Sequence, residues 1–83
     1  MPGMSMSYRV VRRRSEIPVE PGFEVWYTVH EVYFDDQGKP CGVSAIPATP
    51  CGHTVAEFCA DVEKFRKASE LPTLEWDDLV EES

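Results

Sequence analysis

No stretch of this chain approaches the roughly 20 consecutive apolar residues that span a bilayer. Its opening residues, MPGMSMS, lack both the basic region and the apolar core of an export signal. A cytoplasmic protein without membrane contact is therefore expected. Cysteine is scarce and odd in number, at Cys41, Cys51 and Cys59. Without an export signal, such a count argues for reduced thiols rather than a disulfide framework. A Gly-rich phosphate loop, H-E-x-x-H, G-x-S-x-G and any internal repeat are all missing. Basic charge also runs out: Glu70, Glu75, Asp77, Asp78, Glu81 and Glu82 follow one another to Ser83 with no lysine or arginine among them.

What is present is enough for one small domain. A chain of 83 residues buries only about 60% of its unfolded surface, so a deep substrate pocket would compete with the core for the same side chains. That weighs against an enzyme, and nothing in the sequence asks for a cofactor. A content of 42% hydrophobic and 28% charged residues belongs to an ordinary globular protein rather than a disordered one. The net charge of −7 repels nucleic acid at long range. Its distribution is uneven, because Arg9, Arg12, Arg13 and Arg14 cluster in one segment. The plain expectation is that the arginines and the acidic C-terminal segment screen one another or stay solvated. The alternative is a small RNA-binding protein that uses Arg9 and Arg12 to Arg14.

Residues 1–7 are small and featureless and are expected to be disordered. YRVVRRR, residues 8–14, places Tyr8, Val10 and Arg12 on one face of a strand and Arg9, Val11 and Arg13 on the other. SEIPVEPG, with Pro18 and Pro21-Gly22, reads as a loop. FEVWYTVHEVYF, residues 23–34, is rich in β-branched and aromatic residues and is the strongest strand. Large apolar side chains fall on both of its faces, so either both are partly covered or a bulge near His30 switches the buried face. Asp35, Asp36 and Gly38 supply a hairpin turn, and PCGVSAI, residues 40–46, returns as a third strand. Thr54 and Glu57 form a capping box. Behind it Val55, Phe58, Cys59, Val62 and Phe65 recur at helical spacing as a stripe expected to lie on the β-surface made by residues 23–46. Pro72 stops the helix, and Leu71, Leu74, Trp76 and Leu79 follow as lids over the sheet. The expected fold is α+β: a three-stranded antiparallel β-meander packed against one C-terminal α-helix (βββα). An acidic tail follows, with a single domain over 8–79 and the tail end at 80–83.

Cys41, Cys51, His53 and Cys59 are chemically a zinc ligand set. Only Cys51 and His53 are close in sequence, and Cys59 falls on the apolar stripe, so no metal is expected. Cys51 beside His53 before a helix suggests an activated thiolate but lacks a third, orienting group. His30 and Glu31, adjacent on a strand, point to opposite faces and cannot act together unless a bulge intervenes. Trp26, Tyr27, Tyr33 and Phe34 read as packing rather than a base-stacking platform. No catalytic residue is therefore expected, and the binding candidates are Trp26, His30, Tyr33, Arg12, Arg13 and Arg14.

The run YTVHEVYFDDQGKP, the helix entry G-H-T-V-A-E-F and the closing L-P-T-L-E-W-D-D-L resemble a group of short bacterial proteins to which no activity is assigned. The resemblance implies a sheet-plus-helix domain. More distantly, three strands followed by a helix entered through Gly52-His53-Thr54 and Glu57 are similar to HicB-type antitoxins, whose small sheet domains cover a toxin. A sheet covered by one helix leaves a second face or edge open, and both faces of residues 23–34 carry aromatics, so a non-catalytic interaction or regulatory module is expected, its partner an unidentified protein or a second copy of itself in a homodimer. The antitoxin-like and RNA-binding roles stand as alternatives.

Overall fold

The computed structural model describes all residues except 1, 2, 16, 19–21, 82 and 83. Three strands come first, β1 (Ser5–Arg14), β2 (Val25–Phe34) and β3 (Pro40–Val43). A helix, α1 (Val55–Ala68), follows, then a two-residue strand, β4 (Leu74–Glu75), and a short helix, α2 (Trp76–Glu81). The sheet order is β3-β2-β1-β4.

The antiparallel meander of β1, β2 and β3 is present, but the fold is larger than βββα. β4 pairs parallel to β1, making the sheet four-stranded and mixed, and α2 is a second helix. β1 also begins at Ser5, three residues before the alternating segment, because Ser5 to Ser7 find partners in Phe34 to Val32. Of the loop read over 15–22, Glu16, Val19, Glu20 and Pro21 lie outside the described residues, as does the end of the acidic tail. Ser15 closes the near end of that connection through Ser15 N–H to the Glu24 carbonyl (2.8 Å).

The second hairpin forms as its residues dictate. The Asp35 carboxylate accepts the Gln37 and Lys39 amides, both at 2.9 Å, and Gly38 takes φ of 80°. The Lys39 amide chiefly, with that of Gln37, holds the Asp35 carboxyl below its usual range. HEVYFDDQGKPCG is thus strand, turn and strand, with a register shift at Tyr33/Phe34 rather than at His30.

Registered pairs share a face. Arg9, Val11 and Arg13 therefore lie with Trp26, Thr28, His30, Val32 and Phe34, and Tyr8, Val10 and Arg12 with Tyr27, Val29 and Glu31. Both faces are covered in part. On the first, Leu79 of α2 packs with Val11 and Val32 into a small core, flanked by Phe34, Val43, Leu74 and Trp76. On the second, Phe65 of α1 stacks on Tyr8, ring centroids 5.0 Å apart.

The helix cap matches the sequence pattern. The Thr54 hydroxyl accepts the Glu57 amide at 3.1 Å, and the Glu57 carboxylate accepts the His53 amide at 2.9 Å, one residue beyond the cap. The docking of α1 does not match. It packs on β1, not on a surface made by residues 23–46, and the residues it turns inward are Asp61, Phe65 and Ala68. Spaced four and three apart, they form a line rotated away from Val55, Phe58, Cys59 and Val62. Those four are exposed. Tyr8 and the sheet edge can accept only a narrow strip of helix, and Phe65 is the one member of the expected stripe that reaches them.

Two substitutions test this architecture. Leu79→Ala should destabilise the fold by about 2–4 kcal/mol, because Leu79 of α2 is buried in the core with Val11 and Val32; chemical denaturation followed by tryptophan fluorescence will show it. A Cβ at Gly52 would stand 2.5 Å from the Phe58 nitrogen, so Gly52→Ala should cost about 1–3 kcal/mol, measured by thermal unfolding.

Candidate functional site

Each arginine of β1 meets a residue of the returning C-terminal segment. Arg9 Nη2 donates to the Pro72 carbonyl (2.6 Å), Arg12 to the Glu75 carboxylate (2.9 Å) and Arg14 to the Asp77 carboxylate (2.9 Å). The Arg13 guanidinium lies 4.0 Å from the Trp76 ring centroid and 5.7 Å from that of Trp26. Arg14 also lies over Phe23. The hydrogen-bonded pairs are 63 residues apart, the offset of the parallel register Val11↔Leu74 and Arg12↔Glu75. The carboxylate pairs are half-exposed, so they align the segment more than they stabilise it. A hollow of about 330 Å³ opens beside them, lined by Arg12, Arg14, Phe23, Val25, Glu75 and Asp77 among others. Its two guanidinium groups already hold carboxylates, so a phosphate entering it would have to displace them.

His30 is fully buried. Its Nδ1 lies 3.0 Å from the Ser44 carbonyl, which fixes it as the protonated nitrogen, and Nε2 then accepts from the Thr28 hydroxyl at 2.9 Å. Trp76 covers the ring at 5.1 Å between centroids. Burial pushes the His30 pKa below 6.5; the Ser44 carbonyl opposes the shift and the nearby Arg13 charge adds to it. The neutral ring satisfies two neighbours and faces no solvent, so it is a core polar group and not a contact point. Glu31 points to the other face, where it accepts from the Tyr33 hydroxyl at 2.8 Å. Tyr33 is thereby tied down, Trp26 is partly exposed at the rim beneath Arg13, and Tyr27 is the most open of the β2 aromatics.

The cysteines do not converge. Cys41, Cys51 and Cys59 are all exposed, Cys59 on the stripe once expected to be buried. The Cys51 amide donates to the Asp61 carboxylate, while the Cys41 thiol lies 3.4 Å from the Met4 sulfur. Among the described residues no three or more His, Cys, Asp or Glu side chains gather as a metal ligand set. No described helix is long and apolar enough to cross a membrane.

The open chemistry of the molecule is apolar. Along α1, exposure rises toward the N-terminus from 39% at Val62 through 44% at Phe58 to 79% at Val55, while Ala68 at the other end is buried. The helix is anchored at its C-terminal end and overhangs the sheet at its N-terminal end. Sequence reasoning found these residues but assigned them to the core. The missing signal was that Phe65, the last member of the stripe, lies in line with Asp61 and Ala68 on the adjoining helix face, a line that suits a shallow contact with an aromatic strand. Compared with protein-family models, curated proteins and solved structures, the chain matches none.

Because His30 is neutral in the native core and its unfolded pKa is near 6.5, the unfolded chain binds more protons as pH falls below that value. Stability should therefore be fully present above pH 6.5 and decline as pH drops toward the lowered native pKa. Urea midpoints between pH 7.5 and 5.5 should fall for the native sequence and fall less for His30→Gln.

Proposed function

We propose that this protein is a non-catalytic protein-interaction module, bacterial and cytoplasmic, that works through the Val55, Phe58 and Val62 side of α1. The observation that carries the reading is a well-capped helix whose strict apolar stripe is turned to solvent while its sheet contact uses another line of residues. A stripe of this kind, exposed on one helix, is where helix-in-groove or helix-pairing partners dock. The acid/base candidate supports the same reading from the opposite side: His30 is buried and doubly bonded, hence unavailable to a substrate.

The likeness to HicB-type antitoxins fits here as a narrower form of the proposal, with a toxin as the covered partner. RNA binding by Arg12, Arg13 and Arg14 would first have to break the Glu75 and Asp77 pairs and the Trp76 contact.

A photo-reactive side chain placed at Val55 should give a covalent protein adduct on irradiation of cells expressing the protein. The same group at Lys67, on the other side of α1, should give far less. Equal labelling from the two positions, or none from Val55, rejects the reading.

A further inference from the structure

The hairpin end of the sheet brings together two sulfur atoms that are far apart in the chain. The Cys41 thiol of β3 lies 3.4 Å from the sulfur of Met4, 37 residues earlier and just ahead of β1. β2 stands between β1 and β3 in the sheet, so this contact has to pass over its end.

Three local features open that path. β2 stops at Phe34, and the carboxylate of Asp35, the next residue, is turned into the hairpin, where it accepts the Gln37 and Lys39 amides. β3 pairs Gly42 with Tyr33 and Pro40 with Phe34, so Cys41 is the extra residue of a bulge and has no partner in β2. Gly42 beside it carries no side chain; a Cβ there would already touch the Tyr33 ring at 3.7 Å. Met6 registers with Tyr33, as Gly42 does from the other side, and so shares their face one step in from the Met4 and Cys41 contact.

Burial does not account for the contact. Met4 is 70% exposed, and Met6 and Cys41 are exposed as well, so little apolar area leaves water when the two sulfurs touch. All three sulfurs stay open to a ligand from solution. A thiolate and thioethers are soft donors, which select Cu(I) over harder cations. One thiolate with neutral thioethers also balances a monovalent ion, whereas a divalent ion would retain a positive charge among them. We infer that Cys41, Met4 and Met6 form a binding site for Cu(I). Binding forms a copper–sulfur bond to Cys41 and releases its thiol proton to water, Met4 and Met6 donate lone pairs, and no electron is transferred. The site uses no residue of α1, so its test leaves the interaction reading untouched.

Any exposed thiol binds Cu(I), and Cys51 and Cys59 are exposed too. The test therefore compares two full-length chains with one cysteine each: Cys51→Ser with Cys59→Ser leaves Cys41, and Cys41→Ser with Cys51→Ser leaves Cys59. Each competes for Cu(I) with bathocuproine disulfonate in the absence of oxygen. The Cys41 chain should take up one Cu(I), bind it more tightly than the Cys59 chain by about tenfold or more, and lose about tenfold or more in affinity on Met4→Leu. X-ray absorption at the copper edge should show two or three sulfur neighbours. Equal affinity of the two chains, a Met4→Leu variant with native circular dichroism that binds as tightly as its parent, one copper shared by two chains, or a single sulfur neighbour would each overturn the inference. If Met4→Leu changes the circular dichroism, the sulfur count and the comparison of the two single-cysteine chains carry the decision.

Discussion

Leu79 reaches Val11 and Val32 only because the chain comes back along the free edge of β1 in parallel register, and the rest of the structure hangs on that return. One offset of 63 residues satisfies the edge twice over. It pairs Val11 with Leu74 and Arg12 with Glu75 in the backbone, and it sets Arg9, Arg12 and Arg14 against Pro72, Glu75 and Asp77 through their side chains. A two-residue strand and a six-residue helix have too few internal bonds to persist alone. They form because β1 supplies the missing donors, acceptors and apolar surface. In return, Trp76 seals His30 from water and Leu79 completes a core that contains only a few fully buried side chains.

With residues 72–79 occupying the outer edge and one face, little sheet is left for the main helix. α1 meets β1 on the opposite face, where Tyr8 offers one ring for Phe65 to stack on. The contact is narrow, so the helix presents the line of Asp61, Phe65 and Ala68 and leaves its most apolar line beside it. The same closure that builds the core thus creates the exposed stripe, and the interaction role proposed for the protein is a consequence of how little sheet an 83-residue chain can make.

Some of this was legible in the residues because it is local. The Asp35 to Lys39 turn needs only a carboxylate, two amides and a glycine within five positions. The Thr54 and Glu57 cap closes within one helical turn. The burial of both faces of β2 was readable as an ambiguity, and the opposite pointing of His30 and Glu31 followed from strand geometry once the irregularity fell at Tyr33/Phe34 and not at His30. Mutual screening of the arginines and the acidic tail was one of two readings, the other being that both stay solvated, and half-exposed pairs form. Their register was missed, although RVVRRR and PTLEWD carry it: Arg12 and Arg14 stand two apart, as do Glu75 and Asp77.

By itself, then, the sequence determined the hairpin, the capped helix, the three antiparallel strands and the attraction between two oppositely charged segments, since each depends on neighbours in the chain or on net charge. Only the tertiary structure decided that the tail becomes β4 and α2, that His30 is sealed as a neutral core residue, and which side of α1 meets the sheet. Those outcomes depend on which surfaces remain once β1 has acquired partners on both edges, and spacing along one helix cannot report how wide a surface its partner will offer.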